Sequence, residues 1–195
     1  MSKLLREDLF SLEEYASKRT EFRKQVMAHK KHRKVHLGDH ITLYFEDRMT
    51  MQYQIQEMLR AERIFEADGI QEELDTYNPL VPDGSNWKAT MMLEYSDEEE
   101  RKQALEKLIG IERLTWVQVG KQEKVYAIAD EDLERETEEK TSAVHFLRFE
   151  LTAEMLAALN AGADMRMGVE HSDYQAEITV PATTRSSLLV DLQSA

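Results

Sequence analysis

Residues 49–65, MTMQYQIQEMLRAERIF, decide how the first third of this chain is read. At about 100° per residue, Met51, Ile55, Met58, Leu59 and Phe65 fall on one face, the pattern of an amphipathic helix. Glu62 falls in the middle of that face. A carboxylate there costs several kcal/mol unless it is paired or ligated. The other face gathers Tyr53, Gln56, Glu57 and Arg60. Glu62 then has two readings. It is a ligand or general acid/base with a raised pKa, or it is a structural partner of a buried arginine such as Arg48 or Arg148.

Outward from this helix the chain divides by period. Upstream, Ser11 with Glu14 forms a capping box, and a helix is expected to about Arg33, with Leu12, Tyr15, Phe22, Val26 and Met27 at helical spacing. It closes in a basic turn that suits the negative end of the helix dipole. Gly38-Asp39 marks a turn, and Ile41, Leu43 and Phe45 alternate with polar residues as in a strand. Asp47 is placed to cap the helix that follows. Downstream, Asp68-Gly69 breaks the helix, a short helix is expected over 70–77, and the loop NPLVPDGSN at 78–86 holds two of the three prolines.

From Trp87 the period shortens. A strand is expected over 88–95, and Ser96 with Glu99 reads as a second capping box, with its helix running to about Leu108. Segments 114–119 and 124–129 read as a hairpin around Gly120-Lys121. A strand over 143–151, a helix capped by Thr152, a hairpin-like pair at 163–169 and 174–180, and a helix with Pro181 at its first position complete the chain. Strands joined by short turns pair antiparallel. The expected fold is α+β: a mainly antiparallel sheet with helices packed on it and a helical N-terminal third. One domain is expected over 1–195, helical over about 1–77 and sheet-rich over about 87–195.

Composition narrows the function. The chain has 195 residues, a net charge of −13 and no cysteine. Disulfides, thiolate metal sites and iron–sulfur ligation are excluded together. The acidic balance argues against nucleic-acid binding. No apolar run approaches the ~20 residues of a membrane span. The opening MSKLLREDLF carries acids where a signal peptide is apolar, so a cytoplasmic protein is expected. The charge is uneven: 29–36 reads HKKHRKVH and 130–139 reads DEDLERETEE. The basic island offers Lys30, Lys31, Arg33 and Lys34 as a docking patch. The acidic run reads as a solvated loop or frayed helix.

Four histidines stand at 29, 32, 36 and 40, spacings that would align them on a continuous helix. Gly38-Asp39 interrupts that helix and the basic neighbours repel cations, so neither a metal nor any cofactor is expected. Residues 144–151, VHFLRFEL, form a strand with His145, Leu147, Phe149 and Leu151 on one face and Val144, Phe146, Arg148 and Glu150 on the other. His145 is a metal ligand or proton shuttle, or a hydrogen-bonded core histidine. His171, Asp173 and Tyr174 form either a site corner or a plain turn. No phosphate loop, dinucleotide fingerprint, nucleophile elbow or zincin motif occurs. The candidate site is therefore Glu57, Arg60, Glu62, His145 and Arg148, in a pocket between the opening helix and the sheet. Arg60 or Arg148 would hold an anion there bidentately.

Four strings, YQIQEMLRAERIF (53–65), YNPLVPDG (77–84), AIADEDLER (127–135) and KTSAVHFLRFEL (140–151), together resemble the bacterial family called domain of unknown function 3501. The resemblance spans nearly the whole chain. It names no reaction and no catalytic residue. It implies genomic neighbours of rubrerythrin and iron–sulfur oxidoreductase type, and so an accessory role in peroxide defence or electron transfer. Three expectations stand. The first is an accessory or interaction partner of a redox or stress-response system. The second is an enzyme or a metal- or anion-dependent small-molecule binder. The third, compatible with both, is a homo-oligomer. The sequence does not decide whether the protein is an enzyme.

Overall fold

The computed structural model describes residues 3–192 apart from 133, 134, 136 and 138. The fold is α+β, with six α-helices and nine strands among the described residues. Ser11 caps α1 (Leu12–Lys30), and the capping box with Glu14 forms as expected. This helix buries only Tyr15 and Val26, so most of its surface faces water. It stops at Lys30, not Arg33. Residues 34–37 form β1 (Lys34–Leu37), a short strand where a basic turn is expected. The signal was its alternation: Lys34 and His36 are exposed, Val35 and Leu37 are buried. Gly38, at φ +68°, turns the chain into β2 (Ile41–Glu46).

Asp47 caps α2 (Arg48–Glu62), accepting from the Thr50 N–H at 2.9 Å. With α3 (Ala67–Tyr77) it builds a separate small core from Leu4, Met51, Ile55, Leu59, Leu74 and Val81. The Asn78 side chain anchors the N-terminal segment to this layer, accepting from Leu4 N at 2.8 Å and donating to Leu4 O at 3.0 Å.

The remaining elements are β3 (Asn86–Leu93), α4 (Glu98–Lys107), β4 (Thr115–Val119), β5 (Val125–Tyr126), β6 (Ile128–Ala129), β7 (Val144–Glu150), α5 (Ala153–Asn160), β8 (Met165–His171), β9 (Tyr174–Thr179) and α6 (Ala182–Leu189). Asp97, not Ser96, caps α4 by accepting from Glu100 N. Pro181 is the cap of α6 and not its first residue. The strands form two antiparallel sheets, ordered β1-β2-β3-β7-β6 and β5-β4-β8-β9. The segment 124–129 serves both. Val125 and Tyr126 pair with β4, whereas Ile128 and Ala129 pair with β7 in the other sheet.

The main core lies between the two sheets. Leu43, Phe45, Trp87, Met91, Leu147 and Phe149 of the first sheet pack with Val117, Val119, Met165, Met167 and Val169 of the second. The outer face of the five-stranded sheet carries the alternate residues. One rung across it reads Glu46, Lys88, Arg148, Ile128. The next reads Tyr44, Thr90, Phe146. None of the helices in the described residues is long and apolar enough to cross a membrane.

Candidate functional site

The five expected site residues do not converge. Glu62 is exposed, and α2 ends there. Arg63 follows in the left-handed region at φ 57° and reverses the chain. Its successor Ile64 donates to Leu59 O at 2.9 Å and packs on the helical core, leaving Phe65 70 % exposed. Glu62 finds no arginine; Arg48 instead pairs with Asp8 at 2.5 Å. Glu57 is a tie between helices. Arg19 of α1 grips it with two bonds of 2.7 Å, and the Tyr15 hydroxyl donates at 2.6 Å. The Arg19 bonds and the Tyr15 bond hold its carboxyl down at about 2, against burial. Arg60 is exposed beside it. The face read as polar also hides Gln56, fully buried, which accepts from Phe10 N at 2.6 Å and donates to Phe10 O at 3.3 Å.

His145 and Arg148 lie three residues apart on one strand and so point to opposite sides of the sheet. His145 is a hydrogen-bonded core histidine. Its Nδ1 meets Asp130 Oδ2 at 2.6 Å, and its Nε2 meets the Thr141 hydroxyl at 2.9 Å and Ser142 O at 3.0 Å. Arg148 faces outward, clasped by Glu131 at 2.8 and 2.7 Å and by Glu150 at 2.6 Å. Of the acidic run, Asp130 is half-buried against His145, whereas Glu131 and Asp132 are exposed, as expected of a solvated segment. Asp130 bonds His145 on one face of β7, and Glu131 bonds Arg148 on the other. Residues 133, 134, 136 and 138 of that run lie outside the described residues.

The basic island is corrected at Arg33. It is 1 % exposed and cannot dock a partner. Its guanidinium donates to Phe45 O, Glu46 O and Ser187 O at 3.1, 3.1 and 3.2 Å, and to Asp191 Oδ2 at 2.6 Å. Asp47 lies 3.3 Å from it and 2.5 Å from His29 Nε2. Burial alone would raise Asp47, but the bonds from His29 and the Thr50 N–H and the nearby charge of Arg33 hold it below the usual carboxylate range. Lys31 and Lys34 remain exposed, and Lys30 partly so. Of the histidines, 29 and 32 lie at the end of α1, 36 on β1 and 40 in the following turn, and no group of three metal-ligating side chains converges among the described residues. His171 and Tyr174 are ties: His171 Nε2 meets Ile109 O at 3.2 Å, and the Tyr174 hydroxyl donates to Leu37 O at 2.6 Å.

What the outer rung does offer is a pocket. A cavity of about 150 Å³ opens between the Tyr77–Leu80 turn and the sheet, lined by Tyr77, Pro79, Leu80 and Phe146, by the carboxylates of Glu131 and Asp132, and by Lys88 and Arg148 on its floor. Arg148 is already balanced by two carboxylates. Lys88 is not clamped in this way. Among the described residues its ammonium has no hydrogen bond and no carboxylate within 4 Å. Its rung neighbour Glu46 turns away, accepting from the Thr90 hydroxyl at 2.8 Å. Burial, then the Arg148 guanidinium, push the Lys88 pKa down, while Glu131, Asp83 and Glu150 pull it part of the way back. Sequence alone gives no reason to single out Lys88. It reads as an ordinary polar position of a strand until the register sets it beside Arg148 and the 76–80 turn walls it in.

The comparisons agree with this architecture and add no activity. A solved protein of unknown function from Burkholderia pseudomallei K96243 is 51% identical, with a TM-score of 0.93 over 98% of this chain and 100% of that one. No curated protein matches the chain. The profile of the family described as "Protein of unknown function (DUF3501)" matches residues 3–192, and the chain belongs to that family.

Proposed function

We propose that the protein is a small-molecule binder whose ligand is a compact carboxylate held by Lys88. The observation that carries this reading is the half-buried Lys88 ammonium, without a hydrogen bond or ion pair among the described residues, on the floor of a pocket that Tyr77, Pro79, Leu80 and Phe146 line together with Glu131 and Asp132. A half-buried ammonium without a hydrogen-bond partner is costly, and a ligand carboxylate supplies that partner through a charge-assisted hydrogen bond. The 150 Å³ volume suits a ligand of about benzoate size. Tyr77, Pro79, Leu80 and Phe146 would cover its apolar body. Arg148, saturated by Glu131 and Glu150, shapes the floor and does not clamp the ligand. Thermal melting against benzoate and its neutral analogue benzamide tests this. Benzoate at 100 times its Kd stabilises a single site by about 2.7 kcal/mol, and the Lys88→Met variant abolishes the effect. Equal stabilisation by benzamide, or none by benzoate, overturns the reading.

A second reading makes the protein a cytoplasmic accessory component of a redox or stress-response system. The resemblance carried by the four strings supports it, together with the exposed Lys31 and Lys34 beside Lys30. Tagged protein is then expected to copurify with a rubrerythrin-like or iron–sulfur partner in cells expressing them. Recovery of neither sinks this reading and leaves the pocket untouched.

A further inference from the structure

We propose that the ligand of this pocket is a zwitterionic α-amino acid with a medium-sized apolar side chain, its carboxylate on Lys88 and its ammonium on Glu131. The proposal rests on the pocket being a carboxylate site and deepens it by naming the ligand class. The geometry that points to it is a pair of opposite charges that share one cavity and do not close on one another. Lys88 and Glu131 both line the space. Among the described residues they form no ion pair, so more than 4 Å separates the ammonium from the carboxylate oxygens. Arg148 is the reason. It is the Cα partner of Lys88 across β3 and β7, and its guanidinium fork holds the Glu131 carboxylate at 2.8 and 2.7 Å. Glu131 is therefore fixed in place and kept from folding onto the lysine. Those bonds also hold its carboxyl below the usual carboxylate range, so it is ionised at neutral pH.

A simple carboxylate satisfies one end of this arrangement and meets like charge at the other. Glu131 and Asp132 both line the cavity, so the body of an acid held at Lys88 lies beside their carboxylates. An ammonium on the carbon next to the ligand's carboxylate turns that repulsion into a second charge-assisted hydrogen bond. Glu131 can accept it, because a carboxylate offers about four lone-pair sites and Arg148 takes two of them. Depth sets the orientation. Lys88 is half-buried and Glu131 exposed, so the ligand's carboxylate lies inward and its ammonium at the rim. The side chain then lies against Tyr77, Pro79, Leu80 and Phe146. Leucine has as many non-hydrogen atoms as benzoate and is the matching probe for a volume of about 150 Å³.

Isothermal titration calorimetry on the intact protein at neutral pH compares leucine with isocaproate, which lacks the amino group, and with isoamylamine, which lacks the carboxylate. Leucine is expected to bind roughly tenfold tighter than isocaproate, the size of one charge-assisted hydrogen bond, and isoamylamine weakest. Glu131→Gln should bring leucine down to the level of isocaproate, and Lys88→Met should abolish binding of both. The ligand comparison is made on wild type, so it decides even where a variant fails to fold. Leucine binding no tighter than isocaproate overturns the inference. A preference for leucine that survives Glu131→Gln also overturns it, because the preference then comes from the net charge of −13 and not from this site. The two readings fail separately. Benzoate and isocaproate bound through Lys88, with no preference for leucine, remove the zwitterion and keep the carboxylate site. Leucine and isoamylamine bound alike remove the carboxylate anchor, and both readings fall with it.

Discussion

Asp191 shows how much a single buried group can decide. Burial pushes its carboxyl up to about 6, from an ordinary 3.8, although Arg33 pulls the other way. Nearby Asp47 adds repulsion, and Asp191 Oδ1 has no hydrogen-bond partner among the described residues. Between roughly pH 4 and 6 the folded protein keeps this proton while the unfolded chain has lost it. Stability therefore falls as pH rises through that window, by on the order of 3 kcal/mol from this residue. Glu57 has the opposite sign, because a carboxyl held near 2 in the fold stabilises above its ordinary 4.5 and loses that contribution as pH falls. In urea unfolding at pH 4 to 7, the stability of wild type relative to Asp191→Asn is expected to fall as pH rises. A difference constant across the range would mean that Asp191 titrates normally. None of this was legible in the sequence, where Arg33 reads as one more charge in HKKHRKVH. A residue's burial depends on chain that arrives much later. His145 was half legible: its strand face marks it for the interior, but Asp130, which holds it, sits in a run whose composition signals solvent.

At the scale of elements, starts were easier to read than stops. Ser11, Asp47 and Thr152 cap their helices as their spacing predicts, because a cap is a local bond to the third residue on. Capping of α4 shifts by one because Ser96 and Asp97 stand side by side, each with a glutamate three residues later. The end of α2 was not legible. Its reversing residue is Arg63, whose left-handed backbone normally advertises itself as glycine. Without that mark the apolar stripe reads on to Phe65, and Glu62 reads as buried. Since Arg63 is exposed, Arg63→Gly should relieve the strain at no packing cost and stabilise by about 0.5–1 kcal/mol in denaturant unfolding. Destabilisation would show that the arginine side chain contributes more than its backbone costs.

At the scale of the molecule, the α+β class followed from the change of period near Trp87, but the division into two sheets did not. Segment 124–129 is a single run in sequence, and only long-range pairing splits it between β4 and β7. The pocket was hidden for the same reason, since Lys88, Arg148 and Tyr77 come from three separate stretches of chain. The stitching of Arg33 has an effect on how the molecule is made. Arg33, Asp47 and Trp87 leave the ribosome early, yet Arg33 is satisfied by Ser187 O and Asp191, and the Trp87 indole by Leu188 O at 2.9 Å. The nascent chain must keep a guanidinium and an indole of its future interior solvated through most of translation. The buried surroundings of Arg33 and Trp87 are therefore complete only after residues 187–191 have been synthesised, and until then both side chains stay open to solvent and to neighbouring chains.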